Sequence, residues 1–219
     1  MKKISFSVVV LIITFLFSSC VKEIVRGNGD TESETRNASN FSSVSLEGSG
    51  KVTITQGASF AVTVTDDENL LPYVETTTSG DELRIRYKPN TWIKHGNLEV
   101  AITMPELNGI QLSGSGEYII NGHFVNSGTF RSRMSGSGDV RISDFDTKHA
   151  DFDISGSGKI DAEGLWAETA SVHISGSGDA ELSVSNELDA HISGSGTIYY
   201  HGTPAVSTHV SGSGKVVKR

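Results

Sequence analysis

The chain has 219 residues, and its 26 acidic against 18 basic side chains give a formal net charge of −8 at pH 7. This balance excludes nucleic acid and other polyanions as ligands, because binding them requires patches of Lys and Arg. The single cysteine, Cys20, excludes an internal disulfide, so apolar burial and backbone pairing must stabilise the fold.

Residues 1–19 have the organisation of a secretory signal peptide. Lys2 and Lys3 precede a mostly apolar run over residues 4–17, and two serines follow it. The run is shorter than the roughly 20 residues that a membrane-spanning helix needs, so we expect it to be cleaved. Loss of its two lysines leaves 16 basic against 26 acidic residues, a mature net charge of −10.

Cys20 stands where a bacterial lipoprotein signal peptidase leaves the new N-terminus. The segment Phe17-Ser18-Ser19-Cys20 resembles a lipobox, from which Phe17 and Ser19 depart. A signal peptide that contains a cysteine by chance is the alternative. Several acyl chains, at about 0.8 kcal/mol per buried methylene, hold a protein stably on a bilayer. Lipidation at Cys20 therefore predicts an outer-membrane lipoprotein of the cell envelope, facing the periplasm or the cell surface.

The polar stretch 20–40 has no sustained apolar periodicity, and we interpret it as the lipidated cysteine followed by a flexible tether. Residues 41–219 are predicted to form one head domain. Its first part, 41–107, contains strand signals such as Val52-Thr53-Ile54-Thr55 at irregular spacing. Such irregular coils are expected to cap one end of a repetitive fold.

The second part, 108–219, repeats an apolar residue followed by Ser-Gly-Ser-Gly, and Leu46-Glu47-Gly48-Ser49-Gly50 is a degenerate earlier copy. The first glycines of the six good copies are spaced 22, 20, 20, 18 and 18 residues apart. The paired glycines of these copies are Gly114 and Gly116, Gly136 and Gly138, Gly156 and Gly158, Gly176 and Gly178, Gly194 and Gly196, and Gly212 and Gly214.

Apolar residues alternate with polar ones before each copy, as in Ala170, Val172 and Ile174, and alternation resumes after it. Period two indicates strands, and about twenty residues are too few for a strand-helix crossover, which needs roughly 30. The sequence therefore predicts an all-β fold, a right-handed parallel β-helix (solenoid) with about 18–22 residues per coil and an irregular N-terminal capping region. The glycines are expected to take positive φ at a corner, or to face inward where a side chain would not fit.

Residues at the same phase in successive coils stack about 4.8 Å apart. One outward column contains Gln111, Arg133, Asp153, His173, His191 and His209. The three imidazoles are candidates for Zn²⁺ or Cu²⁺ binding or for a pH-sensitive patch. Parallel side chains do not converge as tetrahedral ligands must, so a solvated polar ladder is the favoured interpretation, and we expect no metal or cofactor.

Two tryptophans and several acids are the remaining candidates. Trp92, in a polar loop, is a candidate ligand contact, whereas Trp166 is expected to be buried at a corner. The acid pairs Asp144 with Asp146 and Asp151 with Asp153 invite a glycosidase interpretation, but any acidic solenoid contains such pairs. No catalytic residue is assigned. The Gly-Ser-Gly-Asp segments lack the spacing of calcium-binding repeats.

The Asp66-Asp67-Glu68-Asn69-Leu70 stretch, the Met104-Pro105-Glu106-Leu107 entry into the first full copy, the repeats, and the terminal Gly214-Lys215-Val216-Val217-Lys218 segment together resemble one family. It is the putative auto-transporter adhesin, head GIN domain family of Bacteroidetes lipoproteins, and the resemblance covers about residues 41–219. It implies a right-handed β-helix head on a surface or periplasmic lipoprotein. The family has no established catalytic motif, so no functional residue is carried over.

The leading expectation is a non-enzymatic adhesin-like or structural module that contacts a protein or glycan through a flat strand face. A lipid- or small-ligand-binding lipoprotein is the alternative, and it predicts an apolar cleft where the irregular coils meet the regular ones. A polysaccharide lyase or hydrolase is less favoured and predicts a groove with convergent acids and a Lys or Arg. The membrane, through the lipid anchor, and a second copy, through the solenoid faces, are the other expected partners.

Overall fold

The computed structural model describes residues 23–219, which form nineteen β-strands and one short 3₁₀ helix, Leu71–Tyr73. Cys20 and the predicted signal peptide lie outside the described residues. No helix within 23–219 has the length and apolar character needed to cross a membrane. The strands are β1 (Glu23–Arg26), β2 (Thr31–Arg36), β3 (Ser43–Gly48), β4 (Lys51–Gln56), β5 (Ala61–Asp67), β6 (Val74–Ser79), β7 (Glu82–Tyr87), β8 (Thr91–Lys94), β9 (Glu99–Met104), β10 (Gly109–Gly114), β11 (Glu117–Asn121), β12 (Phe124–Gly136), β13 (Asp139–Ile142), β14 (Phe145–Gly156), β15 (Lys159–Gly176), β16 (Asp179–Gly194), β17 (Thr197–His201), β18 (Ala205–Gly212) and β19 (Lys215–Lys218).

The predicted all-β solenoid is confirmed: successive coils pair in parallel and in register. The first glycines of the motif are direct partners from coil to coil, beginning with Gly48 of the degenerate copy and ending with Gly212. The strand that precedes each motif lies on what we call the first face, and the strand that follows it lies on the second face. A short third face contains residues 124–126, 145–147 and 165–167.

The two glycines of each motif have different roles. Gly176, a first glycine, has φ +129°, and a Cβ at this position would overlap the carbonyl of Gly156 in the preceding coil. Gly178, a second glycine, is buried, and a Cβ there would press on Ile154 and on the carbonyl oxygen of Gly158. Both expected reasons for glycine therefore apply, one to each position, because the corner brings adjacent coils into backbone contact.

The inward positions that alternation predicts form the core. Val172, Phe152 and Ala190 are completely buried. The aromatic rings of Phe130 and Phe145 pack with their centroids 4.5 Å apart. In the last coil the corresponding Val206 and Val210 are 39% and 41% exposed, because no further coil among the described residues covers them.

The irregular N-terminal part closes the other end of the stack, as predicted for a capping region. Strand β3 pairs with β10 on one side and with the later strand β7 on the other, so the first coil is enclosed between two others. Strand β5 then adds antiparallel to β9, β2 adds antiparallel to β5, and β6 adds antiparallel to β7. Antiparallel strands at this end interrupt the parallel repeat and end the stack.

The expectation of a flexible tether over residues 20–40 is wrong for most of its described part. Strand β2 pairs antiparallel with β5 over six residues, and β1 pairs in parallel with β8. The chain is therefore ordered against the cap from Glu23 onward. The reason is tertiary, because the partners of these short polar strands lie far away in the sequence.

Replacing Gly176 with Ala should lower the free energy of unfolding by more than about 2 kcal/mol, because the side chain meets both a positive φ and a neighbouring carbonyl. Chemical denaturation followed by circular dichroism measures the effect. The matched control is Gly128→Ala, where φ is not left-handed and the nearest atom to a new Cβ is the Asn126 side-chain oxygen at 3.3 Å. Equal stability of both variants would contradict the assigned role of the corner.

Candidate binding surfaces

The predicted histidine column forms on the first face. The rings of His173 and His191 stack with centroids 4.7 Å apart, and those of His191 and His209 lie 5.7 Å apart. Nε2 of His173 lies 3.1 Å from the Ser171 hydroxyl, and Nε2 of His191 lies 3.1 Å from the Asp189 carboxylate. The ring nitrogens thus contact neighbours on their own strands and do not converge. Within residues 23–219 no group of three or more His, Cys, Asp or Glu side chains is arranged to hold a metal ion.

Trp92 lies on the ribbon that β8 forms with β1, a two-stranded sheet separate from the main one. Its side chain is 57% exposed and borders a cleft of 490 Å³ together with Tyr87, His95 and the degenerate corner Gly48-Ser49. The cleft exists because the loop after β7 bulges outward where a regular coil would place its own Gly-Ser-Gly. Consequently a Cβ at Gly48 would meet no atom within 4 Å, unlike at the later corners.

Two buried carboxylates hold this ribbon on the cap. Asp66 accepts hydrogen bonds from the Tyr87 hydroxyl at 2.5 Å and from the Asn97 amide at 2.9 Å. Asp67 accepts from the Gly29 amide at 3.0 Å, and the side-chain amide of Asn69 donates to the Arg26 carbonyl at 2.8 Å. Burial and the bond to Asp66 raise the pKa of Tyr87 above its usual range, so the hydroxyl remains a donor. The Asp66-to-Leu70 stretch therefore has a structural role that its sequence alone did not indicate.

The expected burial of Trp166 is wrong, because its side chain is 56% exposed. Trp166 lies in the long strand β15, in which the neighbouring Leu165 and Ala167 point inward, so alternation directs the indole outward. In the preceding coil Trp166 is paired with Asp146, and Asp146 is paired with Val125 of the coil before that. Val125 is 66% exposed. Trp166 and Val125 thus share one outward column of the third face.

These side chains line a shallow groove of 380 Å³, which we call the third-face groove. Besides Trp166 and Val125, its walls contain the polar side chains Asn126, Ser127, Asp146, Thr147, Lys148, Glu168 and Ser185. The groove therefore combines one large flat apolar ring with carboxylate, amide, hydroxyl and ammonium groups. Sequence reasoning missed it because the third face is too short to show its own periodicity.

His123 lies beside the third-face groove between two carboxylates. Its Nδ1 is 2.8 Å from Asp144 Oδ1 and its Nε2 is 3.7 Å from Asp146 Oδ2. The hydrogen bond to Asp144, followed by the charge of that carboxylate and a smaller contribution from Asp146, raises the pKa of His123. Protonation of His123 consequently partly neutralises the acidic side of the groove.

The other candidate acid pair, Asp151 with Asp153, forms ion pairs with arginines of the preceding coil. Asp151 lies 3.5 Å from the Arg131 side chain, and Asp153 lies 3.8 Å from Arg133. These stacked ion pairs lie on an open strand face. They do not form the convergent groove that a glycoside-cleaving site needs.

Most of the chain matches a known protein family. Residues 40–204 match the family described as putative auto-transporter adhesin, head GIN domain. The chain belongs to this family. No curated protein matches the chain. The family match agrees with the resemblance inferred from the repeats and, by its description, with an adhesin-like protein.

Solved structures of several putative adhesins share the fold of this family member. One from Bacteroides fragilis is 18% identical, with a TM-score of 0.74 over 89% of this chain and 100% of the other. One from Parabacteroides merdae is 22% identical, with a TM-score of 0.55 over 90% and 99%. A putative lipid binding protein from Parabacteroides distasonis is 25% identical, with a TM-score of 0.59 over 90% and 100%.

The His123 imidazole should titrate above its ordinary pKa of about 6.5, because Asp144 stabilises the charged form. The ion pair is then complete below the ordinary pKa and is lost as the pH rises through the raised value. NMR titration of the imidazole measures this pKa. The Asp144→Asn variant should return it toward the ordinary value, and an unchanged titration would contradict the assignment.

Proposed function

We propose that this family member is an outer-membrane lipoprotein, anchored through Cys20, whose solenoid acts as a non-enzymatic binding module of the cell envelope. The signal-like segment 1–19 and the lipobox-like residues before Cys20 support the anchor. The family, whose members are described as adhesins, supports a binding role at the surface or in the periplasm. On the first face, the ion pairs of Asp151 and Asp153 with arginines support a role without catalysis.

The observation that carries the binding proposal is the exposed indole of Trp166 in the third-face groove. A glycan is the ligand that this surface suits best. A pyranose has a face of C–H groups that packs on an aromatic ring and an edge of hydroxyls that bond to polar side chains. Asp146, Lys148 and Glu168 supply such acceptors and donors around the ring.

A protein ligand suits the groove less well on grounds of size. Stable protein interfaces bury about 800 Å² on each partner and have an apolar centre. On the third face only Val125 and Trp166 are large exposed apolar side chains among the described residues, and the charged Asp146 separates them. A ligand of one to a few sugar units matches the 380 Å³ groove better.

A second candidate function is lipid or small-ligand binding in the Trp92 cleft. The cleft lies among the irregular N-terminal coils, at the degenerate corner Gly48-Ser49, one coil away from the first regular repeat. Its lining combines Trp92, Ile93 and Tyr87 with polar groups. The relative described as a putative lipid binding protein adds support.

Replacing Cys20 with Ala should release the protein from the membrane fraction, because the acyl chains are the proposed anchor. Fractionation of cells that express the full chain, with immunodetection, measures the distribution. The wild-type chain in the same strain is the control. Retention of the variant in the membrane fraction would refute the anchor.

Replacing Trp166 with Ala should weaken glycan binding at least about tenfold, since a buried aromatic contact commonly contributes more than about 1.4 kcal/mol. A glycan array identifies the ligand, and calorimetry measures its affinity. Trp92→Ala is the matched control and should bind the glycan like the wild type. Loss of binding in Trp92→Ala alone would favour the cleft instead, and binding of no glycan by the wild type would refute the proposal.

A further inference from the structure

We propose that the ribbon of β1 and β8 is a membrane-contact element, which lies in the lipid headgroup layer beside the anchor. The ribbon pairs Ile24 directly with Trp92 and Arg26 directly with Lys94. Because side chains two residues apart share a face of a strand, these four form one outer face. The inference rests on the proposed lipidation of Cys20.

The outer face has the composition of a membrane interface contact. Ile24 is 60% and Trp92 57% exposed, although both are large apolar side chains. On the opposite face Val25 and Ile93 are partly buried toward the protein body. Trp is enriched at the headgroup level of membranes, where its ring is partly in apolar and partly in polar surroundings.

The charges on the ribbon contrast with those of the whole protein. Arg26 and Lys94 are its outer charges, and no acid shares that face. After removal of the predicted signal peptide the chain carries a net charge of −10. An anionic bilayer therefore attracts this face and repels the acidic remainder, which orients the solenoid on the membrane. Each such cation strengthens adsorption to an anionic surface about fivefold.

Chain length then places the ribbon at the membrane. Ile24 follows Cys20 by four positions in the sequence. Their Cα atoms are therefore at most about 14 Å apart, even if the chain between them is fully extended. Headgroup layers are several ångströms thick on each side of a hydrocarbon core of about 30 Å. Because β1 begins at Glu23, the two residues between Cys20 and Glu23 are too few to carry the ribbon away from the lipid surface.

The chain has two tryptophans, Trp92 and Trp166, which allows a direct test with single-tryptophan variants. The full lipidated protein is inserted into vesicles of phosphatidylcholine with phosphatidylglycerol, some carrying a nitroxide-labelled headgroup. In the Trp166→Phe variant, the remaining Trp92 should be quenched by the labelled lipid. In the Trp92→Phe control, the remaining Trp166 should be quenched by aqueous iodide and not by the labelled lipid.

The charge contribution is tested by the double variant Arg26→Gln and Lys94→Gln in the Trp166→Phe background. It should lower lipid quenching of Trp92 in vesicles with phosphatidylglycerol and leave it unchanged in vesicles of phosphatidylcholine alone. Thermal denaturation confirms that the variants are folded. Equal lipid quenching of Trp92 and Trp166 would overturn the proposal, as would protection of Trp92 that depends on protein concentration or on added glycan.

Vesicle flotation separates this inference from the anchor on which it rests. Protein that floats with the vesicles while Trp92 escapes the labelled lipid overturns the ribbon contact and leaves the anchor standing. Protein that does not float overturns both. Flotation together with selective quenching of Trp92 supports both.

Discussion

Every regular coil depends on one backbone hydrogen bond at the corner of the solenoid, in which the serine between the two glycines donates to the first glycine of the preceding coil. The amide of Ser177 lies 2.9 Å from the Gly156 carbonyl, and Ser195 repeats the contact to Gly176 at 2.8 Å. This approach requires glycine, because any Cβ at the first position would overlap the carbonyl beneath it. Fixing the corner also fixes which residues before and after it point inward.

The same constraint limits what the regular faces can do chemically. Side chains in an outward column remain parallel, as the stacked rings of His173 and His191 show, so they do not converge on one ligand atom. Convergent surfaces require a break in the repetition. The third face provides one, because the pairing register shifts between Ala162 and Trp166. The cap provides another, where the loop after β7 leaves the stack and carries the ribbon.

The cap would connect the proposed anchor to the solenoid. Buried Asp66 accepts a hydrogen bond from Asn97 in the loop, and buried Asp67 accepts one from Gly29 just after β1, so that both strands of the ribbon are fixed against the body. Ordered pairing of β1 would give the head a defined orientation relative to the proposed lipid at Cys20. A glycan ligand at Trp166 and a membrane contact at Trp92 would then assign different roles to two exposed indoles.

The sequence by itself determined the solenoid and its buried face. Six in-phase copies, the glycine pairs and the alternation around Ile174 are local signals, and each coil repeats them. The equal position of the three histidines in successive repeats was also enough to predict that they lie in one column. Only the tertiary structure decided the position of Glu23–Arg26, since the four residues of β1 gain their order from pairing with the distant Thr91–Lys94. It likewise decided that Trp166 faces solvent, because the inward positions of Leu165 and Ala167 follow from packing against neighbouring coils.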